Sequence, residues 1–244
     1  MTKPALVLIA LSALAAGAAA RPFVDLEAGA VFSGYNDVAV PGDAGTRFSL
    51  SRQLRSDPAP FGRLRAGYCF GGRHTVSALA APLRISASGS SDRDIVYLGQ
   101  TFPAGIALTS RYRFDSYRLT YRWDPLRRER LTAGFGFTAK IRDAAIGLEG
   151  GGLRAEKKNT GFVPIVNFRV AWRPAERLTA LFEGDALAAP QGRAEDVFAG
   201  AAYRLGRRVS LKAGYRLLEG GADNDEVYTF SLFHYAVLGA VVDL

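Results

Sequence analysis

Residues 209–217 read VSLKAGYRL, and every second side chain is apolar: Val209, Leu211, Ala213, Tyr215 and Leu217 alternate with Ser210, Lys212, Gly214 and Arg216. A period of two marks a strand whose two faces meet different surroundings. The pattern recurs. In SYRLTYRW, Tyr117, Leu119, Tyr121 and Trp123 oppose Ser116, Arg118, Thr120 and Arg122. In LTAGFGFTAKI, Leu131, Ala133, Phe135, Phe137, Ala139 and Ile141 oppose Thr132, Gly134, Gly136, Thr138 and Lys140. In VNFRVAWR, Val166, Phe168, Val170 and Trp172 oppose Asn167, Arg169, Ala171 and Arg173. No long 3.6-period stripe competes with this alternation. The segments that carry it predict roughly ten antiparallel strands, near 23–35, 61–70, 75–86, 112–123, 131–148, 162–172, 178–187, 197–205, 209–218 and 226–244.

A soluble sandwich would alternate as well, with its apolar faces turned inward. Here the apolar faces end in Tyr121, Trp123, Trp172 and Tyr203 beside short turns, while the opposite faces hold glycine and arginine. That placement predicts an aromatic girdle and a polar lumen, the signature of a transmembrane β-barrel. The connections agree. Short ones at 70–74, 124–130, 173–177 and 205–208 alternate with longer ones around 36–60, 86–110, 147–160, 186–195 and 218–225, as short periplasmic turns alternate with long extracellular loops. The expected fold is therefore an all-β, antiparallel transmembrane barrel of about ten strands, with eight or twelve as alternatives. Residues 90–107, which contain IVYLGQTFPAG, read either as an extracellular hairpin or as an additional strand pair. An even count leaves both ends of the mature chain on the periplasmic side, and the first and last strands close the sheet, since unpaired backbone cannot be left in lipid.

The first twenty residues, MTKPALVLIALSALAAGAAA, place Lys3 before a short apolar run that ends in Ala18-Ala19-Ala20. This is the pattern of a cleavable signal peptide, so the expected division is a leader over 1–20 and one barrel domain over 21–244, exported to a bacterial outer membrane. Loss of the leader removes Lys3 and no acid, leaving 30 basic against 23 acidic residues and a charge of +7. An exported basic chain meets anionic lipid or lipopolysaccharide rather than nucleic acid. With Cys69 as the sole cysteine no intrachain disulfide forms, and with only His74 and His234 beside it a cysteine- or histidine-based metal centre is not expected. No cofactor is expected either.

SYRLTYRW, FTAKIRDAAI, LAAPQGRAED and GGADNDEVYTFSLFHYA together resemble a family of proteobacterial outer-membrane β-barrel proteins, across nearly the whole mature chain. The resemblance implies the fold and the location. It implies no activity and no catalytic residue. It also implies a chain folded by the barrel-assembly machinery, although Leu244 stands where such barrels usually end in an aromatic residue.

Inward parity predicts a lumen that collects Asp25, Glu27, Glu183 and Asp185 with Arg63, Arg65, Arg118, Arg122, Lys140, Arg142, Arg169, Arg173, Arg204, Lys212 and Arg216. In a narrow barrel such charges meet across the lumen. They form either a salt-bridged plug or a restricted, cation-lined path for anions. The acidic stretch Asp223-Asn224-Asp225-Glu226 lacks the downstream glycine and the twelfth-position glutamate of a calcium loop. An omptin-like protease or a lipid A-modifying enzyme is the enzymatic alternative, with Asp223, Asp225, His234 and Asp185 as its candidate residues, but alternation from Leu244 puts His234 on the lipid side. Charges in the loops, including Gln191 to Asp196 and Arg154 to Lys158, read as solvated or as contacts to lipopolysaccharide phosphates. The reading favoured by the sequence is a monomeric, non-enzymatic barrel with a structural, surface-interaction or restricted-permeation role.

Overall fold

The structure, a computed structural model, describes residues 20–190 and 192–244. The expected leader, Ala20 apart, and Gln191 lie outside the described residues. Among the described residues fifteen strands follow one another: β1 (Arg21–Ala39), β2 (Phe48–Ser49), β3 (Leu54–Ser56), β4 (Ala59–Phe70), β5 (His74–Ala81), β6 (Arg84–Gly89), β7 (Ile95–Tyr97) and β8 (Gln100–Phe102) in the first half of the chain, then β9 (Leu108–Arg127), β10 (Leu131–Gly150), β11 (Leu153–Ala175), β12 (Leu178–Ala189), β13 (Gly192–Arg204), β14 (Val209–Asn224) and β15 (Val227–Asp243). Ten of them, β1, β4, β5 and β9 to β15, form a closed antiparallel barrel.

Closure comes from β15 lying against β1, with pairs running from Phe23↔Asp243 to Ala39↔Tyr228. One extra residue, Gly34, is absorbed as a bulge between Ser33 and Tyr35. The remaining strands extend the wall at one end: β6 continues beside β9 above β5, β3 pairs with β6, and β2 pairs with β1.

The ends of the barrel differ. One carries the tight connections near residues 71–73, 128–130, 176–177 and 205–208, and is called the turn end. The other carries the long hairpins. At its tip between β10 and β11, Gly151 and Gly152 have φ of +59° and +79°, the left-handed pair a two-residue hairpin loop requires. Around the outside runs an apolar belt. Leu119, Phe135, Phe137, Ile141, Phe162, Trp172, Phe182, Leu211 and Leu238 all face outward and exposed, and Trp123, Trp172 and Tyr203 sit toward the turn end as the alternation predicts.

Three connections expected as irregular loops are strand instead. The pairing of β10 with β11 continues to Gly150↔Leu153, that of β12 with β13 to Ala189↔Gly192, and that of β14 with β15 to Asn224↔Val227. Above the belt the outward face no longer meets lipid, so alternation stops marking the strand while its backbone ladder persists. Residues 95–102 form the separate β7–β8 hairpin, one of the two readings left open for this segment. It folds in at the hairpin end, where Leu98 N donates to Val40 O at 2.9 Å, Thr46 N to Val96 O at 2.9 Å and Tyr97 Oη to Ile146 O at 2.8 Å. Phe48, Leu50, Leu54, Ile85, Ile95, Phe102, Leu108 and Leu148 close around Tyr97 as an apolar core.

Candidate functional site

Below that apolar layer the inward parity of the ring strands gathers charge. Asp25 and Glu27 come from β1, Arg63 and Arg65 from β4, Arg118 from β9, Arg169 from β11, Glu183 and Asp185 from β12, Asp196 from β13, and Lys212 and Arg216 from β14. Asp196 is the hub. Its Oδ1 accepts from Arg216 Nη1 at 2.6 Å, and its Oδ2 from Arg63 Nη1 and Nη2 at 3.0 Å and Arg118 Nη2 at 2.5 Å. Arg216 completes its fork on Glu27, at 2.7 and 3.1 Å. Arg118 Nη1 reaches Asp185 at 2.6 Å, and Asp185 also accepts from Thr138 at 2.7 Å and Asn167 at 2.9 Å.

Asp25, Glu27 and Glu183 bring carboxylate oxygens within 4.8 Å of one another, an arrangement that would suit a cation. The cation there is the protein's own. Lys212 Nζ lies 2.9 Å from Asp25, 2.6 Å from Glu27 and 3.4 Å from Glu183, and Arg169 and Arg65 close on Glu183 at 3.1 and 3.7 Å. Phe198 packs beside both cations, its ring centre 4.7 Å from Lys212 Nζ and 5.3 Å from Arg216 Cζ. Gly200 and Gly214 make room for it, since a Cβ at either would come within 2.5 and 2.8 Å of the ring. Unpaired, any of these charges would cost several kcal/mol in such surroundings. Among the described residues each of these charges has an opposite charge within 3.7 Å, while Asp25 Oδ1 and Asn167 Oδ1 keep no hydrogen-bond partner.

The predicted lumen set needs correction at its edges. Arg204 and Arg173 lie at the turn end rather than in the lumen. Both are exposed, Arg204 Nη2 donating to Glu176 O at 2.7 Å and Arg173 N to Arg130 O at 2.7 Å, because their strands run past the lumen before they turn. Arg122 sits at the turn-end mouth, bonded to Asp124 at 2.8 Å and Thr75 at 3.3 Å. Lys140 and Arg142 stand above the network. Asp196, by contrast, was expected in a solvated loop and is 2 % exposed. The signal was present: Val197, Ala199, Ala201 and Tyr203 form the outward file of β13, so Asp196 shares the inward file with Phe198 and Gly200.

The candidates for an enzymatic site do not converge. Asp185 is bonded within the lumen, and Asp223 and Asp225 are exposed at the tip of the β14–β15 hairpin. His234 belongs to the outer file with Tyr215, whose hydroxyl it meets at 2.5 Å. Across the hairpin Asp223 faces Tyr228 while His234 faces Leu217; those six positions along β15 separate the two by about 20 Å.

Between network and hairpin end lies a cavity of about 210 Å³. β9, β10 and β11 supply one wall, including Phe114, Lys140, Arg142 and Val163, and β13, β14 and β15 the other, including Arg193 and Phe233. β12 supplies no lining residue.

No protein-family model and no curated protein sequence matches the chain. Among solved structures it is similar to the outer membrane protease OmpT from Escherichia coli, at 8% identity over 92% of this chain and 97% of that one, with a TM-score of 0.60. It also matches the transport unit of the autotransporter AIDA-I from Escherichia coli, at 7% identity over 96% and 92% of the two chains with a TM-score of 0.45. A third match is Ail, the attachment invasion locus protein of Yersinia pestis, at 10% identity over 91% and 99% with a TM-score of 0.40. At these identities the likeness to OmpT shows the fold alone: the chain has the architecture of outer-membrane β-barrels.

Proposed function

We propose that the protein is a non-conducting, non-enzymatic barrel of a bacterial outer membrane, which anchors a folded hairpin end at the cell surface. One observation carries the reading. The barrel lumen is crossed by the Arg118–Asp196 pair, from β9 to β13, and filled beside it by Arg216, Glu27 and Lys212, all with side chains at most 4 % exposed. A permeation path would need those pairs to separate, at several kcal/mol for each charge uncovered. The difference between the two ends supports the orientation: short turns toward the periplasm, and the β7–β8 hairpin and its apolar core outward.

At the outer end Arg111, Arg154 and Lys158 are exposed, and such groups fit the phosphates of lipopolysaccharide through charge-assisted hydrogen bonds. The enzymatic alternative has less support, since Asp223, Asp225 and His234 stand apart and the fold likeness to a protease transfers no residue.

Planar-bilayer recording of the purified barrel tests the proposal. A silent bilayer is the expected result. Regular steps with anion preference, lost on Arg118→Ser, would overturn it in favour of restricted anion permeation.

A further inference from the structure

The barrel wall is incomplete on one side of the cavity. β11 pairs with β12 only from Val166↔Ala186 to Ala175↔Leu178, although β11 itself begins at Leu153 and β12 ends at Ala189. Above Val166 the two strands part, and the edge of β11 from residue 153 to 165 has no strand partner among the described residues. Pro164 in that edge has no backbone N–H to offer a neighbour. Higher up, Lys157 Nζ of β11 lies 3.9 Å from Glu226 Oε2 at the tip of the β14–β15 hairpin. A window therefore opens in the wall between a floor at Val166 and a lintel at Lys157. Phe162, 64 % exposed, and Leu187 mark it as level with the upper part of the apolar belt.

The cavity lies directly behind this window. Its lining includes Asn159 and Val163 from the free edge of β11 and Arg193 and Ala194 from β13 beyond the gap. It is two-natured. Tyr112, Phe114, Ile146, Leu218 and Phe233 give apolar walls and Lys140 and Arg142 bring cations, while Lys157 and Arg193 line it already paired with Glu226 and Glu219.

Lys140 is the telling residue. It is 3 % exposed, its ammonium is 5.0 Å from the centre of the Phe114 ring, and among the described residues it has no salt bridge or hydrogen bond. Everywhere else in this lumen a buried cation is matched by a carboxylate. Arg142 adds a buried Nε without a partner, its Nη2 being held by Asn159. A cation this enclosed, lining a cavity and itself paired with no carboxylate among the described residues, favours an anion in that cavity.

We propose that this cavity is a binding site for an amphiphile with one acyl chain and an anionic phosphate or carboxylate head, entering sideways from the outer leaflet through the β11–β12 window. The chain lies against Phe114, Leu218 and Phe233, and the head is met by Lys140 and Arg142. At about 210 Å³ the space falls below the roughly 300–1,000 Å³ of sites for drug-sized molecules, so it admits one chain and not several. The site is independent of whether the lumen conducts.

Calorimetric titration of the barrel in phosphatidylcholine nanodiscs with dodecyl phosphate and with dodecanol tests the charge requirement. Dodecyl phosphate is expected to bind at least about tenfold more tightly than dodecanol, and Lys140→Met to abolish most of that difference. Ala194→Trp, which fills the cavity from the far side of the window, is expected to remove binding of both and gives the test a second, uncharged route. Equal binding of the two amphiphiles, or dodecyl phosphate binding unchanged in both variants, would overturn the proposal. Lipid A placed in the nanodisc then distinguishes the source: competition with dodecyl phosphate assigns the site to leaflet lipid, and retained binding without competition assigns it to a free amphiphile.

Discussion

Asp196→Ala is the sharpest test of the lumen network, because one side chain, 2 % exposed, is shared by three arginines. Its removal leaves Arg118 with Asp185 and Arg216 with Glu27, but Arg63 keeps only the 3.3 Å approach of its Nε to Glu27. The loss is thus of a buried charge and four hydrogen bonds, with an excess of positive charge left behind. Breaking a buried pair on one side costs about 3–5 kcal/mol; at about 2–4 °C per kcal/mol for a chain of this size, the midpoint falls by about 6–20 °C. Heat-modifiable gel mobility of the detergent-folded barrel reads this directly. The control is Asp143→Ala, which breaks the 3.0 Å pair with Arg113, where both side chains are about one-third exposed and the expected cost is about 0–1 kcal/mol. Asp196→Asn combined with Arg63→Met rebalances the charge and should lose less than the sum of the two single changes. Equal midpoints for Asp196→Ala and Asp143→Ala would refute the reasoning, as would strict additivity in the double variant.

The hairpin end and the orientation can be checked separately. Tyr97→Ala removes a fully buried ring from the core around the β7–β8 hairpin, at about 3–5 kcal/mol, and should expose residues 90–107 to protease while the barrel stays folded. Tyr97→Phe loses only the bond to Ile146 O, at about 0.5–1.5 kcal/mol, and should remain resistant. For orientation, Lys158→Cys and Arg207→Cys in a Cys69→Ser background place thiols at opposite ends. A membrane-impermeant maleimide applied to whole cells should label Lys158→Cys alone, and the reverse pattern would invert the proposed topology.

The belt strands were legible because lipid on one side and charge on the other impose strict alternation, as in 116–123 and 209–217. The same rule put Asp25, Glu27, Arg63, Arg118, Lys212 and Arg216 in the lumen, where they meet. It failed where its cause ends. Past the belt, residues 142–150 and 153–161 are paired strand with no lipid on either face, and their glycines and charges read as loop. Asp196 was lost for this reason, since a loop drawn through residue 195 hid the start of β13. The window was illegible for another: a missing ladder depends on how far two distant strands extend, and Pro164 alone does not announce it.

Why the lumen is filled with paired charges rather than apolar side chains follows from the medium outside. In lipid the outer file already presents Leu, Phe and Tyr, so an apolar inner file would make the two faces of each strand alike. A one-residue slip, which exchanges the files, would then cost little. With Asp196, Arg216, Glu27 and Lys212 inside, the same slip turns charges into hydrocarbon, at about 2–4 kcal/mol for each Arg or Lys at the midplane. The network therefore specifies register more than it adds stability, in keeping with the near break-even balance of buried ion pairs against apolar fillings. Asp196→Val and Asp185→Asn together with Arg63→Met, Arg118→Met and Arg216→Met, which leave Glu27 to Lys212 and strand no carboxylate, should yield barrels that, once folded, melt no lower than Asp196→Ala. The fraction that folds into vesicles should drop. A folding yield equal to that of the unaltered chain would show that register is set elsewhere, in the short turns or in the bulge at Gly34.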